Sequence, residues 1–400
     1  MKLKLKPNAL SPEATVFLNI IRLVAAELVV VSHFITTYQP MALNSFYFGG
    51  LLGGIGVFLF FAISGFLISY SVLQKLQTKQ YSFRHYFVDR FSRIYSGLVP
   101  AMVFVGVVAG GIYFTNRIYY NYLAGLHSPP GLQSLIATLT MTMSYPNSAL
   151  NAASSLLNLP NSLQSASAFG FDSVLWSLGV EWWIYMFFGW LVIGSLGCFG
   201  ERQQHKAYKA LFVVIAALLS FIIIGLSWDY SAFIVVWFAG VLMMLLISNP
   251  TAWKMLSNSA VTKISVVLLF VALTAAAYEG YKIYSVTHES FSLSLGLVLT
   301  ACVFFCITVI NSKNIPSVSN FLLKKRVAAY SAALAGFSYT LFLIHYPFIL
   351  FLNGLNFSVD RWLLFIPILL LINQIALILA YIGEKRHRQI AAKIKTKLHF

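Results

Sequence analysis

The sequence predicts an all-α, polytopic membrane protein with about ten transmembrane helices. Of its 400 residues, 59% are hydrophobic and only 10% charged, far from the balance of a soluble domain. Apolar runs of roughly 20 residues, enough to cross a hydrocarbon core of about 30 Å, recur from one end of the chain to the other. They are uniformly apolar, whereas the strands of a membrane barrel are shorter and alternate polar with apolar residues. Lipid offers no partner to backbone N–H and C=O groups, so each run must close its hydrogen bonds internally, as a helix does.

The first run, 14–38, encloses Arg22, Glu27 and His33 and lacks a small-residue cleavage site, so it reads as a retained span and not a removed signal peptide. Arg22 and His33 lie eleven positions apart, and eleven steps of 100° return to within about 20° of the start with a rise of about 16 Å. They share a helix face, at a separation a long extended ligand could bridge. Glu27 falls about 140° away from Arg22 and reads as a structural partner for another helix. The second run, 48–74, holds Gly54, Gly56, Phe58, Phe60, Phe61, Ser64, Gly65 and Phe66, and its small residues favour close helix packing. At the foot of the third run, 96–115, Arg90 and Arg93 stand at i and i+3, a spacing that suits a phosphate grip as well as ordinary topogenic charge. The fourth, 172–198, opens with Trp176 and puts Ser177, Glu181 and Tyr185 on one face at i, i+4 and i+8. Four further spans follow at 207–226, 230–248, 260–279 and 291–311. The ninth, 328–353, carries Ser338, Tyr339, His345, Tyr346 and Pro347, and the proline should kink the helix and free a carbonyl near His345. The tenth is 362–383.

Lys and Arg are distributed unevenly between alternate loops. The tail with Lys2, Lys4 and Lys6 and the stretches 75–93, 202–209, 254–263, 313–326 and 385–397 hold 23 basic residues, whereas the intervening loops hold only Arg117, Lys282 and Arg361. Cytoplasmic loops retain positive charge, so both termini are expected in the cytoplasm, with the protein in the plasma (inner) membrane. Topology thereby accounts for the net charge of +16; the expected partner is the bilayer, and no nucleic acid. Cys198, Cys302 and Cys306 lie in or beside apolar spans without metal-type spacing, so no metal site is expected. The organisation is one membrane domain, 14–384, between basic tails 1–13 and 385–400, and it shows no internal repeat. The long outer connection, 116–171, is rich in Asn, Ser, Leu and Ala, and connections this long are often functional. Its Tyr119, Tyr120 and Tyr122 suit either sugar stacking or the aromatic belt at the membrane surface.

An ionisable group inside a span is a functional hypothesis by default, with internal ion pairing as the alternative. A carboxylate at Glu181 facing the His33 imidazole would orient it and stabilise its charged form, as a general base requires. A buried ion pair joining two helices would look the same in sequence.

Five segments in order now carry a family resemblance: Arg22 through His33; Gly56 through Ser64-Gly65-Phe66; Arg90-Phe91-Ser92-Arg93-Ile94-Tyr95; Trp176-Ser177 through Glu181 and Tyr185; and Ser338-Tyr339 through His345-Tyr346-Pro347. The chain resembles the acyltransferase type 3 family of integral membrane proteins over residues 15–385. The resemblance implies transfer of acyl groups, commonly acetyl, to sugars and other hydroxyl acceptors at the cell envelope. It implies acyl-coenzyme A, most commonly acetyl-coenzyme A, as a co-substrate presented from the cytoplasm, with no permanently bound cofactor. Arg22, Arg90 and Arg93 would then bind the charged end of the donor and His33 would match the family's essential histidine. Glu181 would join His33 in catalysis, with Ser64, Trp176, Ser177, Tyr185, Ser338, Tyr339 and His345 in support. The chain departs from the family pattern at Asn19, where Asp is common, at Asp89, where a first Arg often precedes Arg90, and at Ser96, where Pro often follows the Tyr. Near the closing segment with Tyr381 and Glu384, Arg386 replaces a frequent Pro.

The expected reaction has His33, supported by Glu181, take the proton of an acceptor hydroxyl as it attacks the thioester. A histidine that carries the acyl group covalently would use the same residues. Two readings come from other classes. One is a proton-coupled transporter in which His33, Glu181 and His345 relay protons and the arginines bind an anionic solute. The other is a scaffold whose buried polar groups fix helix packing.

Overall fold

The computed structural model describes residues 10–38, 44–77, 81–127, 129–143, 168–195, 206–226, 231–287, 292–312, 315–359 and 361–398. Lys2, Lys4, Lys6, Cys198 and residues 144–167 of the long connection lie outside them. Every described regular element is helical. The chain runs through α1 (Pro12–Tyr38), α2 (Asn44–Lys75), α3 (Phe83–Thr115), α4 (Arg117–Leu126), α5 (Leu132–Leu139), α6 (Trp176–Gly189) and α7 (Lys206–Leu226). It continues through α8 (Ser231–Ser248), α9 (Pro250–Leu256), α10 (Ser259–Lys282), α11 (Leu293–Ser312), α12 (Pro316–Leu322), α13 (Lys325–Ala335), α14 (Ser338–Gly354), α15 (Arg361–Ile382) and α16 (His387–Lys397).

Among the described residues, eight helices are long and apolar enough to cross a membrane, and α13 with α14 makes a ninth span in two parts bent by 51°. The apolar helix α7 occupies the remaining run. The sharp bend in the ninth span differs from expectation: it falls at Gly336 and Phe337, while Pro347 stays inside the continuous α14. Helices in lipid tolerate a proline when neighbouring groups satisfy the carbonyl it frees. The long connection also differs from an irregular loop, since α4 and α5 form within it.

The chain packs as two units, one built from residues 1–80 and 232–339 and the other from 81–231 and 340–400. In the first, α1 lies against α2 at small residues. A methyl group on Gly53 would sit 2.7 Å from Ser32 Oγ, and one on Gly56 2.6 Å from the Ala25 carbonyl oxygen, so only glycine permits this approach. The contact between α2 and α8 is tighter still: a methyl on Gly65 would overlap the Trp237 carbonyl, and one on Gly240 the Ala62 carbonyl. Ile63 and Phe66 of α2, Met243 and Ile247 of α8 and Val303 and Ile307 of α11 fill the core beside these contacts.

In the second unit α3 is the common partner of α6, α15 and α16. Pro100 lies inside α3 and has no N–H to return to the Ser96 carbonyl one turn back. Gly383, at the end of α15, packs against that carbonyl so closely that a side chain there would overlap it. The chain then turns through residues Glu384–Arg386 into α16, which Lys395 ties to α3 by an ion pair with Asp89 at 2.6 Å. A second cluster packs Ile112 of α3, Leu123 of α4, Phe171 and Leu350 of α14.

Candidate active site

The unbroken α1 sets the geometry of Arg22 and His33. With no irregularity between them, the eleven-residue spacing keeps both on one face, about 16 Å apart along the axis. Both side chains are half-buried, as is that of Glu27. The glycines of α2 hold α1 close along its C-terminal half, and Ser32, next to His33, is buried against Gly53. Further along α2, Ser64 Oγ accepts a hydrogen bond from the indole of Trp237 at 3.3 Å. This places Ser64 in the packing contact with α8. Ser338 Oγ donates to the Ala335 carbonyl at 3.0 Å, satisfying a carbonyl left at the end of α13 where the span bends. Tyr339 beside it is half-buried.

The other predicted residues belong to the second unit. On α6, the spacing of Ser177, Glu181 and Tyr185 brings the last two together: the Tyr185 hydroxyl donates to Glu181 Oε1. Ser177 is buried and its hydroxyl turns back to the Val174 carbonyl at 3.5 Å, while Trp176 is half-buried at the head of the helix. Tyr86 of α3 is fully buried and donates to the Tyr185 carbonyl at 2.9 Å, and Arg90 stands over the Tyr86 ring with its guanidinium 5.8 Å from the centroid. Arg90, Tyr86, Tyr185 and Glu181 therefore form a continuous relay of contacts from α3 to α6.

Arg93 has a partner that the reading of it as a donor grip did not include. Its guanidinium pairs with Glu384 Oε1 at 2.9 Å, and Glu384 is 1% exposed against 28% for Arg93. The other carboxylate oxygen of Glu384 accepts from the Thr340 N–H at 3.0 Å and its hydroxyl at 2.8 Å. Thr340 lies in the first turn of α14, where an acidic group also complements the helix dipole. A buried carboxylate thereby joins α3 to α14 through the turn after α15. On the same face of this region, Asp89 accepts from Lys395 and, at 3.3 Å, from Tyr81; burial first, then the Asp89 charge, push the Tyr81 hydroxyl well above its ordinary pKa. His345 is fully buried, and its Nδ1 lies 2.8 Å from the Phe342 carbonyl and 3.2 Å from that of Leu341. Two carbonyl acceptors require that Nδ1 carries the proton.

Arg22, His33, Ser64, Ser338 and Tyr339 thus lie in one unit and Arg90, Arg93, Trp176, Ser177, Glu181, Tyr185 and His345 in the other. Sequence reasoning missed Tyr86 and Thr340. Neither carries a charge, and the sequence holds no sign that each would be the hydrogen-bond partner of a distant helix.

The sequence model of the acyltransferase type 3 family, described as an acyltransferase domain, matches residues 15–383. The chain belongs to this family. The match to this acyltransferase family encloses α1 with Arg22 and His33, the arginines of α3, the Glu181 face of α6 and α14 with His345, and it ends one residue before Glu384. The chain is also similar to an uncharacterized protein of Haemophilus influenzae, with 26% identity over 171 residues that make up 42% of this chain and 58% of that protein. It thus spans little more than half the length of the curated relative it matches. No solved structure matches.

Proposed function

We propose that the protein is a membrane O-acyltransferase that moves an acyl group, acetyl in its simplest form, from cytoplasmic acyl-coenzyme A to a hydroxyl of a cell-envelope carbohydrate or related acceptor. It lies in the plasma (inner) membrane with both termini in the cytoplasm, the orientation that the Lys and Arg distribution favours. The observation that carries the proposal is the family match over nearly the whole chain, with Arg22 and His33 on one face of an unbroken helix inside it.

In this reaction the acceptor oxygen attacks the thioester carbonyl while His33 takes the hydroxyl proton. The new C–O bond forms, the C–S bond breaks, and the coenzyme A thiolate leaves and is protonated by the imidazolium. Arg22 and Arg90 bind the phosphates of the donor by charge-assisted hydrogen bonds. Arg93 joins them through the guanidinium donors that Glu384 leaves available. The rise of about 16 Å between Arg22 and His33 suits a donor whose phosphates and thioester are held apart by an extended arm. Glu181 is the second residue assigned to the chemistry, kept in place on its own helix by Tyr185. Trp176, Ser177, Ser64, Ser338, Tyr339 and His345 shape the helices around these groups.

The test is transfer of labelled acetyl from acetyl-coenzyme A to envelope glycans by membranes bearing wild type, His33→Ala or Arg22→Ala at matched expression. Label on glycan with wild type alone supports the proposal. Label in all three contradicts the site assignment. Label in none, together with proton-driven uptake of an anionic solute, replaces the enzyme with a transporter.

A further inference from the structure

The second unit holds a polar cluster that the chemistry above does not use, where α3 passes into α4 and the chain enters α6. Asp172 sits in the turn before α6, 1% exposed. Among the described residues neither of its carboxylate oxygens makes a hydrogen bond of ordinary geometry, and the Val174 N–H lies near the carboxyl. Tyr346 of α14 is close enough to interact electrostatically with Asp172, Tyr119 and Tyr122, and its hydroxyl is hydrogen-bonded to Ser173. His127 packs edge-on against the Tyr346 ring with centroids 6.1 Å apart. The Tyr119 hydroxyl accepts from Asn353 Nδ2 at 3.1 Å, and Tyr122, at 62% exposure, forms the open edge of the cluster.

A buried carboxyl group left short of hydrogen-bond partners is costly, and native folds leave few such groups without a purpose. As a carboxylate Asp172 accepts hydrogen bonds and as a carboxylic acid it also donates one, so a hydroxyl-bearing ligand, which does both, suits either form. Tyrosine rings beside it offer flat apolar surfaces with polar tips. A carboxylate for hydroxyls and aromatic faces for C–H surface is the pairing a sugar ring requires, and a simple inorganic ion would have no use for the rings.

We infer that this cluster is the acceptor subsite, in which Asp172 accepts hydrogen bonds from the hydroxyls of a sugar that lies against Tyr119, Tyr122 and Tyr346. Its role as acceptor site rests on the acyltransferase reading, whereas its capacity to bind sugar does not. On the proposed orientation α3 rises from the cytoplasm, so the cluster lies at the extracytoplasmic end of the unit, where envelope glycans are found.

The test uses the full chain in lipid nanodiscs and measures binding of soluble glycan fragments released from the cell envelope, without donor. Asp172→Asn keeps the shape of the group and replaces one carboxyl oxygen with an amide NH2. It is expected to weaken glycan binding about tenfold to a hundredfold, the range for mispairing one or two buried hydrogen bonds, and to leave acetyl-coenzyme A binding unchanged. Tyr122→Ala, on a side chain that is 62% exposed, is expected to weaken glycan binding several-fold, and it decides the matter if the Asp172 variant fails to fold. The inference is overturned if both variants bind glycan like wild type, if wild type binds none, or if Asp172→Asn weakens donor binding to the same degree. Asp172-dependent glycan binding by a wild-type protein that transfers no acetyl would keep the subsite and remove the acyltransferase reading.

Discussion

In the unit that contains α1, geometry is set by the absence of side chains, whereas in the unit that contains α3 it is set by pairs of charged and polar ones. Gly53, Gly56, Gly65 and Gly240 bring α1, α2 and α8 into near backbone contact, and the half-buried Arg22 and His33 ride on a helix located in this way. Across α3, α14 and the C-terminal turn, the equivalent work falls to Arg93, Glu384 and Thr340, with Asp89 and Lys395 beside them. Packing by glycine fixes distance without adding charge near Arg22 and His33. An ion-pair network fixes orientation but uses up part of a cation that would otherwise face a ligand. The difference predicts which arginines are dedicated to the donor: Arg22 more than Arg93.

The largest effect comes from breaking the charged side of this contrast. Glu384→Ala leaves the half-buried Arg93 and the buried Thr340 N–H and hydroxyl without their acceptor and is expected to cost about 2–4 kcal/mol of stability, read as a fall in thermal unfolding temperature in detergent. Adding Arg93→Ala should recover much of that loss, because removing both members of a buried pair is far less harmful than removing one. If the double variant regains stability and also transfers acetyl, Arg93 is structural; if it regains stability alone, Arg93 also binds donor.

Next in size is the steric side. Gly65→Ala forces the α2–α8 contact open and is expected to destabilise by about 1–3 kcal/mol, with no recovery from any change of charge. A smaller effect, about 0.5–1.5 kcal/mol, is expected for Tyr86→Phe, which removes the hydrogen bond to the Tyr185 carbonyl. If that variant loses acyl transfer while keeping its stability, the contact relay from Arg90 to Glu181 matters for function beyond packing.

The smallest concerns pH. Burial lowers the pKa of His127 below the ordinary imidazole value, so the fold favours its neutral form. Its contribution is intact above the unfolded pKa of about 6.5 and declines as pH falls through and below that value. Unfolding temperature should therefore drop between about pH 7.5 and about pH 5, and His127→Gln should make that drop shallower. An unchanged slope would show that other groups control it.

The positions of the spans were legible because each apolar run is long enough to leave only one backbone solution in lipid. The bend of the ninth span was not. Pro347 is the stronger breaker by local chemistry, yet α14 runs through it and the chain turns at Gly336 and Phe337, where Ser338 caps the carbonyl of Ala335. The face shared by Arg22 and His33, and that shared by Glu181 and Tyr185, followed from helical periodicity alone, whereas the hydrogen bond between the latter two did not. Glu384 was visible in sequence as part of the closing segment, but its bond to Thr340 joins residues 44 positions apart, and no local pattern encodes that. Asp89, a departure from the family pattern, finds its reason in Lys395, on a basic helix that looked in sequence like a solvated tail. Asp172 was hidden for a related reason: burial of one acid at the mouth of a span is a property of the packed turn and not of its neighbours in sequence.

The most direct measurement is a single-turnover assay of thiol release from acetyl-coenzyme A by purified, reconstituted protein supplied with envelope glycan, comparing wild type with His33→Ala of equal stability and equal donor affinity. If His33 carries the chemistry, wild type releases coenzyme A in step with acetylation of glycan and His33→Ala releases none above the uncatalysed rate. Release at the wild-type rate by His33→Ala, or no release by wild type, would contradict that role.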